Sequence, residues 1–238
     1  MGRVLFGRKV IYSSEDEITR ENVIDVLNRA IPIHNQNRSE IEYLFNYYRG
    51  NQPILTREKI IRPEINNKIV ENHALEIVDF KKGYVFGEPI QYVRRGEGDR
   101  VSEQISKLNE FMFAEDKAAK DKELAEWFYK CGTAYRMILP DDMVGVEPDD
   151  SPFEIDTLDP RDTFVVYHNG FGKRPLMGVN FIKNEEGEII YSVYTKDMYF
   201  KIQDDKILND DTFHVLGSIP IIEYPANEDR LGDRKSVV

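Results

Sequence analysis

The sequence predicts an α+β fold, with helices in its N-terminal part and an antiparallel β meander after them. Three observations carry this. Before Gly132 apolar residues recur at three- and four-residue spacing, after it β-branched and aromatic residues gather in short runs, and turn chemistry separates those runs. The change of pattern divides the 238 residues into a mainly helical part, 1–132, and a β-rich part, 133–238.

Thr19, with Glu21 and Asn22 behind it, is a helix start, and Val23, Ile24, Leu27, Ala30 and Ile31 fall on one stripe before Pro32 cuts in. The polar run His34-Asn-Gln-Asn-Arg38 then reads as a link. Ile41, Leu44, Phe45 and Tyr48 form a second stripe, with Gly50 placed to take the left-handed conformation past the helix end and Pro53 preventing a return. A third helix is expected over 67–82, with Ile69, Val70, Ala74, Ile77 and Phe80 inward and Gly83 as its stop. Pro89-Ile-Gln-Tyr-Val93 has strand character, and a charged loop follows over 94–100.

Asp99 or Ser102 can cap a helix carrying Val101, Ile105, Leu108, Phe111 and Met112. The next helix, over 117–130, carries Leu124, Trp127 and Phe128 and is closed by Gly132. Strands are expected at 134–139, 163–167, 177–182, 189–194, 198–202 and 219–223, with turns at Asn184-Glu-Glu-Gly187 and Gln203-Asp-Asp-Lys206. There is no internal repeat and no low-complexity tract.

Composition limits the function. A net charge of −11 argues against non-specific binding to nucleic acid or anionic membrane, because phosphate affinity rests on Lys and Arg displacing counterions. Cys131 is the only cysteine, which excludes an intrachain disulfide, and no run approaches the roughly 20 apolar residues of a membrane span. The expectation is a protein made in the cytosol, without a membrane.

Catalytic and cofactor motifs are absent. Gly96-Glu-Gly98 lacks the third glycine and the strand–helix context of a dinucleotide fingerprint. His34, His73, His168 and His214 show no metal-ligand spacing and read as polar residues on helix faces or strand ends. Cys131 reads as a small buried side chain. Acidic residues crowd 141–162, from Asp141 and Asp142 to Glu154, Asp156, Asp159 and Asp162. They read as a solvated loop followed by a strand with outward acids. A metal-dependent hydrolase built on two or three of these carboxylates is the alternative. Tyr43, Phe45, Tyr47 and Tyr48 beside Arg49 read as core and subunit contact, with a stacking platform for single-stranded nucleic acid as the other option.

Three segments carry a resemblance: Tyr47-Tyr-Arg-Gly-Asn-Gln-Pro-Ile54, Asn66-Asn-Lys-Ile-Val-Glu-Asn-His73 and Gly83-Tyr-Val-Phe-Gly-Glu-Pro-Ile90. With Cys131-Gly-Thr-Ala-Tyr135, Leu158-Asp-Pro-Arg-Asp-Thr-Phe164 and Gly217-Ser-Ile-Pro-Ile-Ile-Glu-Tyr-Pro-Ala-Asn-Glu228, they resemble the portal, or head-to-tail connector, proteins of long-tailed bacteriophages. The resemblance implies a wing-like fold and a subunit of a dodecameric ring at one vertex of the phage head. Its implied partners are scaffold and capsid proteins, terminase, head-completion proteins and double-stranded DNA passing through the channel. It implies no cofactor, no metal and no catalysis. The stem helices are expected beyond residue 233, and Arg234-Lys-Ser-Val-Val238 departs from the apolar helix start the family would show there. Candidate subunit-interface residues are Tyr47, Arg49, Lys68, Lys81 and Lys82, facing the acidic loops of a neighbour.

Overall fold

A computed structural model describes residues 7–94, 99–140, 151–214 and 216–226. The expected loop at 141–150, the glycine pair at 96 and 98 and the terminal residues 227–238 lie outside them. Among the described residues a short first strand and four helices are followed by a run of strands, an α+β architecture. The helices are α1 (Val23–Tyr48), α2 (His73–Phe86), α3 (Asp99–Ala114) and α4 (Lys117–Cys131), with a short 3₁₀ turn at Pro53–Thr56. The strands are β1 (Ile11–Ser13), β2 (Thr133–Pro140), β3 (Phe153–Leu158), β4 (Thr163–His168), β5 (Pro175–Lys183), β6 (Ile189–Tyr194), β7 (Met198–Gln203), β8 (Lys206–Ile207), β9 (Thr212–Phe213) and β10 (Ile221–Pro225).

The two helices expected on either side of Pro32 are one helix, α1. Its buried face runs through Val23, Val26, Leu27, Ala30, His34, Asn37, Ile41 and Leu44, an unbroken three–four spacing on which the supposed link supplies His34 and Asn37. Those polar groups are matched from outside the helix. His34 Nε2 lies 2.9 Å from the Arg161 carbonyl and its ring stacks on Phe164 at 4.6 Å, while Asn37 Oδ1 accepts from Lys9 N and Asn37 Nδ2 donates to Lys9 O, both at 2.8 Å. Pro32 and Asn28, whose carbonyl the missing N–H would have bonded, are both exposed, so that carbonyl is left open to solvent rather than buried unpaired.

Two further expectations are corrected. The third helix starts at His73 rather than near 67 and passes through Gly83 to end at Phe86. Asn72 fixes the start by accepting from Leu75 N, a cap that outranks the apolar pair Ile69 and Val70 upstream. Residues 89–93 form no strand; the Tyr92 backbone is instead bonded by Asn109 on α3, which accepts from Tyr92 N and donates to Tyr92 O, both at 3.0 Å. Gly132 does close α4, at φ 68 with its N–H on the Phe128 carbonyl.

The strands divide into two sheets, a separation the single meander did not anticipate. β4 to β8 do form the meander, with β9 also on β7, but β1 joins β4 in parallel and the order is β1-β4-β5-β6-β7-β8. The second sheet has the order β10-β2-β3. Asp204 and Asp205, at φ 48 and 58, make the tight β7–β8 turn, and Gly187 at φ 87 makes the β5–β6 turn.

Three apolar clusters hold these layers together. The N-terminal half of α1 packs Val23, Val26, Leu27 and Ala30 on Phe164, Val179, Val193 and Phe200 of the large sheet. Its C-terminal half packs Ile41 and Phe45 on Trp127 and Cys131 of α4. The small sheet meets the large one through Tyr135, Val165, Ile219 and Ile221.

Candidate subunit interface

The site begins at the C-terminal end of α1, where its aromatic residues part to two sides. Phe45 stacks on Trp127 with ring centres 5.5 Å apart, and Lys130 Nζ lies 4.0 Å over Trp127 and 5.0 Å over Phe45. Arg161 covers the Phe45 ring at 4.4 Å. This box is filled by the chain's own cations, which removes the stacking platform for nucleic acid at Phe45. Tyr48 closes it, its hydroxyl pushed up to about 12 by burial and by the charge of Glu126.

Cations at this end are partly neutralised inside the chain. Lys82 Nζ donates to Glu126 Oε2 at 2.8 Å and lies 3.0 Å from Asp79. Burial pulls the Lys82 ammonium down, but the hydrogen bonds to Glu126 and Asp79 outweigh it and leave it raised. Burial likewise pushes the Glu126 carboxyl up, and its bonds to Lys82 and Lys130 more than reverse this. Of the other candidate residues, Arg49 is exposed 5.7 Å over Phe45, Lys81 is exposed 5.6 Å over Tyr129, Lys68 is exposed, and Tyr47 is half-buried beside Tyr43. The fold places Tyr47 and Arg49 at the end of α1, Lys81 and Lys82 on α2, and Lys68 on the arm before α2.

The apolar residues matter more here than the charges. α2 buries only Ala74 and Val78. Phe80 and Tyr84, 72% and 83% exposed, stack on each other on its outer face, with ring centres 6.2 Å apart and planes 17° from parallel. Phe80, Ile77 and Ile69, expected to point inward, are all exposed. The signal was present in the sequence: Leu75, Ile77, Val78, Phe80, Tyr84 and Val85 surround the helix rather than striping it, and a helix apolar on all sides needs cover on more than one.

Three of the acids of the alternative hydrolase are engaged within the chain. Asp159 takes Arg161 in a two-pronged ion pair, Asp162 lies 3.2 Å from Arg38, and Asp156 accepts from Thr157 N. Among the described residues no three His, Cys, Asp or Glu side chains converge as a metal set, and no helix is long and apolar enough to cross a membrane. His73, at the start of α2, is raised above its usual range by hydrogen bonds to Glu76 and Glu71. Cys131 is fully buried.

One polar cluster lies away from this end. Glu223 on β10 accepts from Tyr135 at 2.7 Å, from Tyr167 at 2.9 Å and from Thr133 at 3.3 Å, and pairs with Arg8. No sequence motif announced it.

Comparison with known proteins adds one finding. A family model described as phage portal protein, SPP1 Gp6-like, matches residues 27–238. No curated protein matches the chain. The matched span takes in α2, the small sheet and every strand of the large sheet except β1, which lies before it with Arg8.

Proposed function

Because the chain belongs to the phage portal protein family, SPP1 Gp6-like, we propose that it works as one subunit of a closed ring at the head vertex of a virion. The observation that carries this reading is the outer face of α2, where Phe80 and Tyr84 stand in water as a stacked pair. Exposed aromatic pairs of this kind belong to surfaces that meet another protein. A ring supplies that cover, since each copy presents one patch and receives another.

The finer functions follow from the ring. The helical residues 1–132 and the β-rich residues 133–238 act together as its wing. Tyr47, Arg49, Lys68 and Lys81 lie on the contact between copies, and the dodecamer offers surfaces to scaffold and capsid proteins, to terminase and to head-completion proteins. Double-stranded DNA enters and leaves through the central channel without being read. A net charge of −11 suits that passage, because a wall with few free cations releases few counterions and does not hold the duplex. The subunit assembles in the host cytoplasm and ends in the virion. Its part is mechanical, with no bond made or broken.

Native mass spectrometry and electron microscopy of the purified protein test this reading. Closed rings of twelve copies are the expected result; a protein that stays monomeric across salt and concentration overturns it. Binding to duplex DNA should be weak even at low salt, and tight salt-dependent binding would contradict the sliding channel.

A further inference from the structure

The arm between the 3₁₀ turn and α2 leaves isoleucines in water that its own chain does not cover. Ile60 and Ile61 are 99% and 82% exposed, and Ile65 and Ile69 follow at half or more. Single exposed apolar side chains are ordinary, but four isoleucines in one short arm make a patch. The arm is shaped. Asn66 Nδ2 donates to the Arg57 carbonyl at 3.0 Å, Lys59 Nζ to the Ile65 carbonyl at 2.7 Å, and Arg62 turns the backbone at φ 55. Its base is tied to the end of α1 by Asn72 Nδ2 donating to the Tyr48 carbonyl at 2.8 Å.

The charge of the arm runs against that of the chain. Residues 57–70 hold Arg57, Lys59, Arg62 and Lys68 against Glu58 and Glu64, while the whole chain carries −11. A complementary surface lies at the other end of α1. There Asn28 donates to Asp205 at 2.8 Å and Arg20 to Asp211 at 2.6 Å, tying the β8–β9 edge to the start of that helix. Residues 203–213 hold Asp204, Asp205, Asp210 and Asp211 against Lys206, with Phe213 68% exposed and Leu208 half exposed. α1 has 26 residues and at 1.5 Å per residue is about 39 Å long, with the arm's base tied to its end and the β8–β9 edge tied near its start.

Two complementary patches at opposite ends of one helix do not meet within a subunit, but they do meet between copies. Such contacts repeat head to tail and close into a ring when the rotation permits. Resting on the portal reading above, we infer that the 57–70 arm of one copy docks on the β8–β9 edge of the next. Ile60 and Ile61 cover Leu208 and Phe213, and Arg57 and Arg62 meet the aspartates around them.

A cysteine pair tests the contact directly. Cys131 is fully buried and gives a quiet background. In the assembled full chain, Ile61→Cys together with Phe213→Cys should give a ladder of covalent multimers with a short bis-maleimide, and neither single variant should. An assembled double variant that yields no ladder overturns the inference. Separately, Ile60→Asp with Ile61→Asp should raise the protein concentration at half-assembly by about tenfold or more. The melting temperature of the dissociated subunit should stay unchanged. Rings that form at the wild-type concentration overturn the arm contact while the portal reading stands; a wild-type chain that never assembles overturns both.

Discussion

Arg8 and Glu223, 215 residues apart in sequence, form an ion pair almost out of water, their side chains 13% and 1% exposed. The pair ties the segment leading into β1 to β10 of the small sheet. Tyr135 and Tyr167 donate to the same carboxylate from β2 and β4, so one side chain fastens both sheets and the N-terminal segment. Glu223→Ala removes the acceptor for all of them, leaves a buried guanidinium without its partner, and should cost about 3–5 kcal/mol. Arg8→Ala leaves the tyrosines still bonded to Glu223 and should cost less. Urea unfolding of both variants checks the order, and the reverse order would contradict the shared-acceptor arrangement.

The same cluster contributes to the alkaline limit of the fold. Burial, then the Glu223 charge, pushes the Tyr135 and Tyr167 hydroxyls above the usual 10. A group raised in the folded state contributes fully below its unfolded pKa, and that contribution drains as pH rises through the folded value. Stability should hold up to about pH 10 and fall above it. Tyr135→Phe and Tyr167→Phe should each flatten that fall, which unfolding measured across alkaline pH will show.

Gly178 on β5 of the large sheet lies directly against Ile221 of the small one. A Cβ at this position would stand 2.8 Å from Ile221 Cβ on β10. Gly178→Ala should therefore cost about 1–3 kcal/mol by forcing the sheets apart. Ile221→Ala in the same background should recover part of the loss, since it removes the Cγ1 and Cδ1 that would stand 3.2 Å from the added Cβ. A double-mutant cycle measures the coupling, and strict additivity would show that the contact does not constrain the sheets.

Asn37 makes the long first helix hold β1 in place, through both of its bonds to Lys9. Asn37→Ala should cost about 1–3 kcal/mol, because two part-buried hydrogen bonds to the Lys9 backbone are lost together. Amide exchange should quicken first at Ile11–Ser13. Protection that falls evenly over the whole chain would mean that Asn37 acts on global stability alone.

The aromatic box offers a contrast between apolar and charged burial. Phe45→Ala should cost about 2–4 kcal/mol, since it opens a void against Trp127. Lys130→Met should stay within about 1 kcal/mol of the parent, because a buried cation gives way to an apolar side chain of similar volume. Glu126 keeps Lys82 as its partner in that variant. Emission from Trp127, the single tryptophan, reports on both variants.

The local signals were legible where one element decides its own fate. The left-handed glycine after α4, the paired aspartates of the β7–β8 turn and the apolar stripes of α1 and α4 depend on neighbours a few residues away, and periodicity exposes them. The candidate interface was legible only in part. Residue type suggested Tyr47, Arg49, Lys68, Lys81 and Lys82 as candidates, but which face of α2 stays uncovered depends on how the rest of the fold buries Ala74 and Val78.

By itself, then, the sequence determined the α+β class, the strands of the meander, and the motifs by which the chain resembles the portal proteins. Tertiary structure decided the rest. His34 and Asn37 look like a linker until Arg161, Phe164 and Lys9 arrive to match them, and only then does α1 run on past Pro32. The two sheets separate because β2 pairs with β3 and with the distant β10 rather than with β4. A polar group is stable in the interior only when its partner is there, and here those partners come from remote parts of the chain that no local pattern announces.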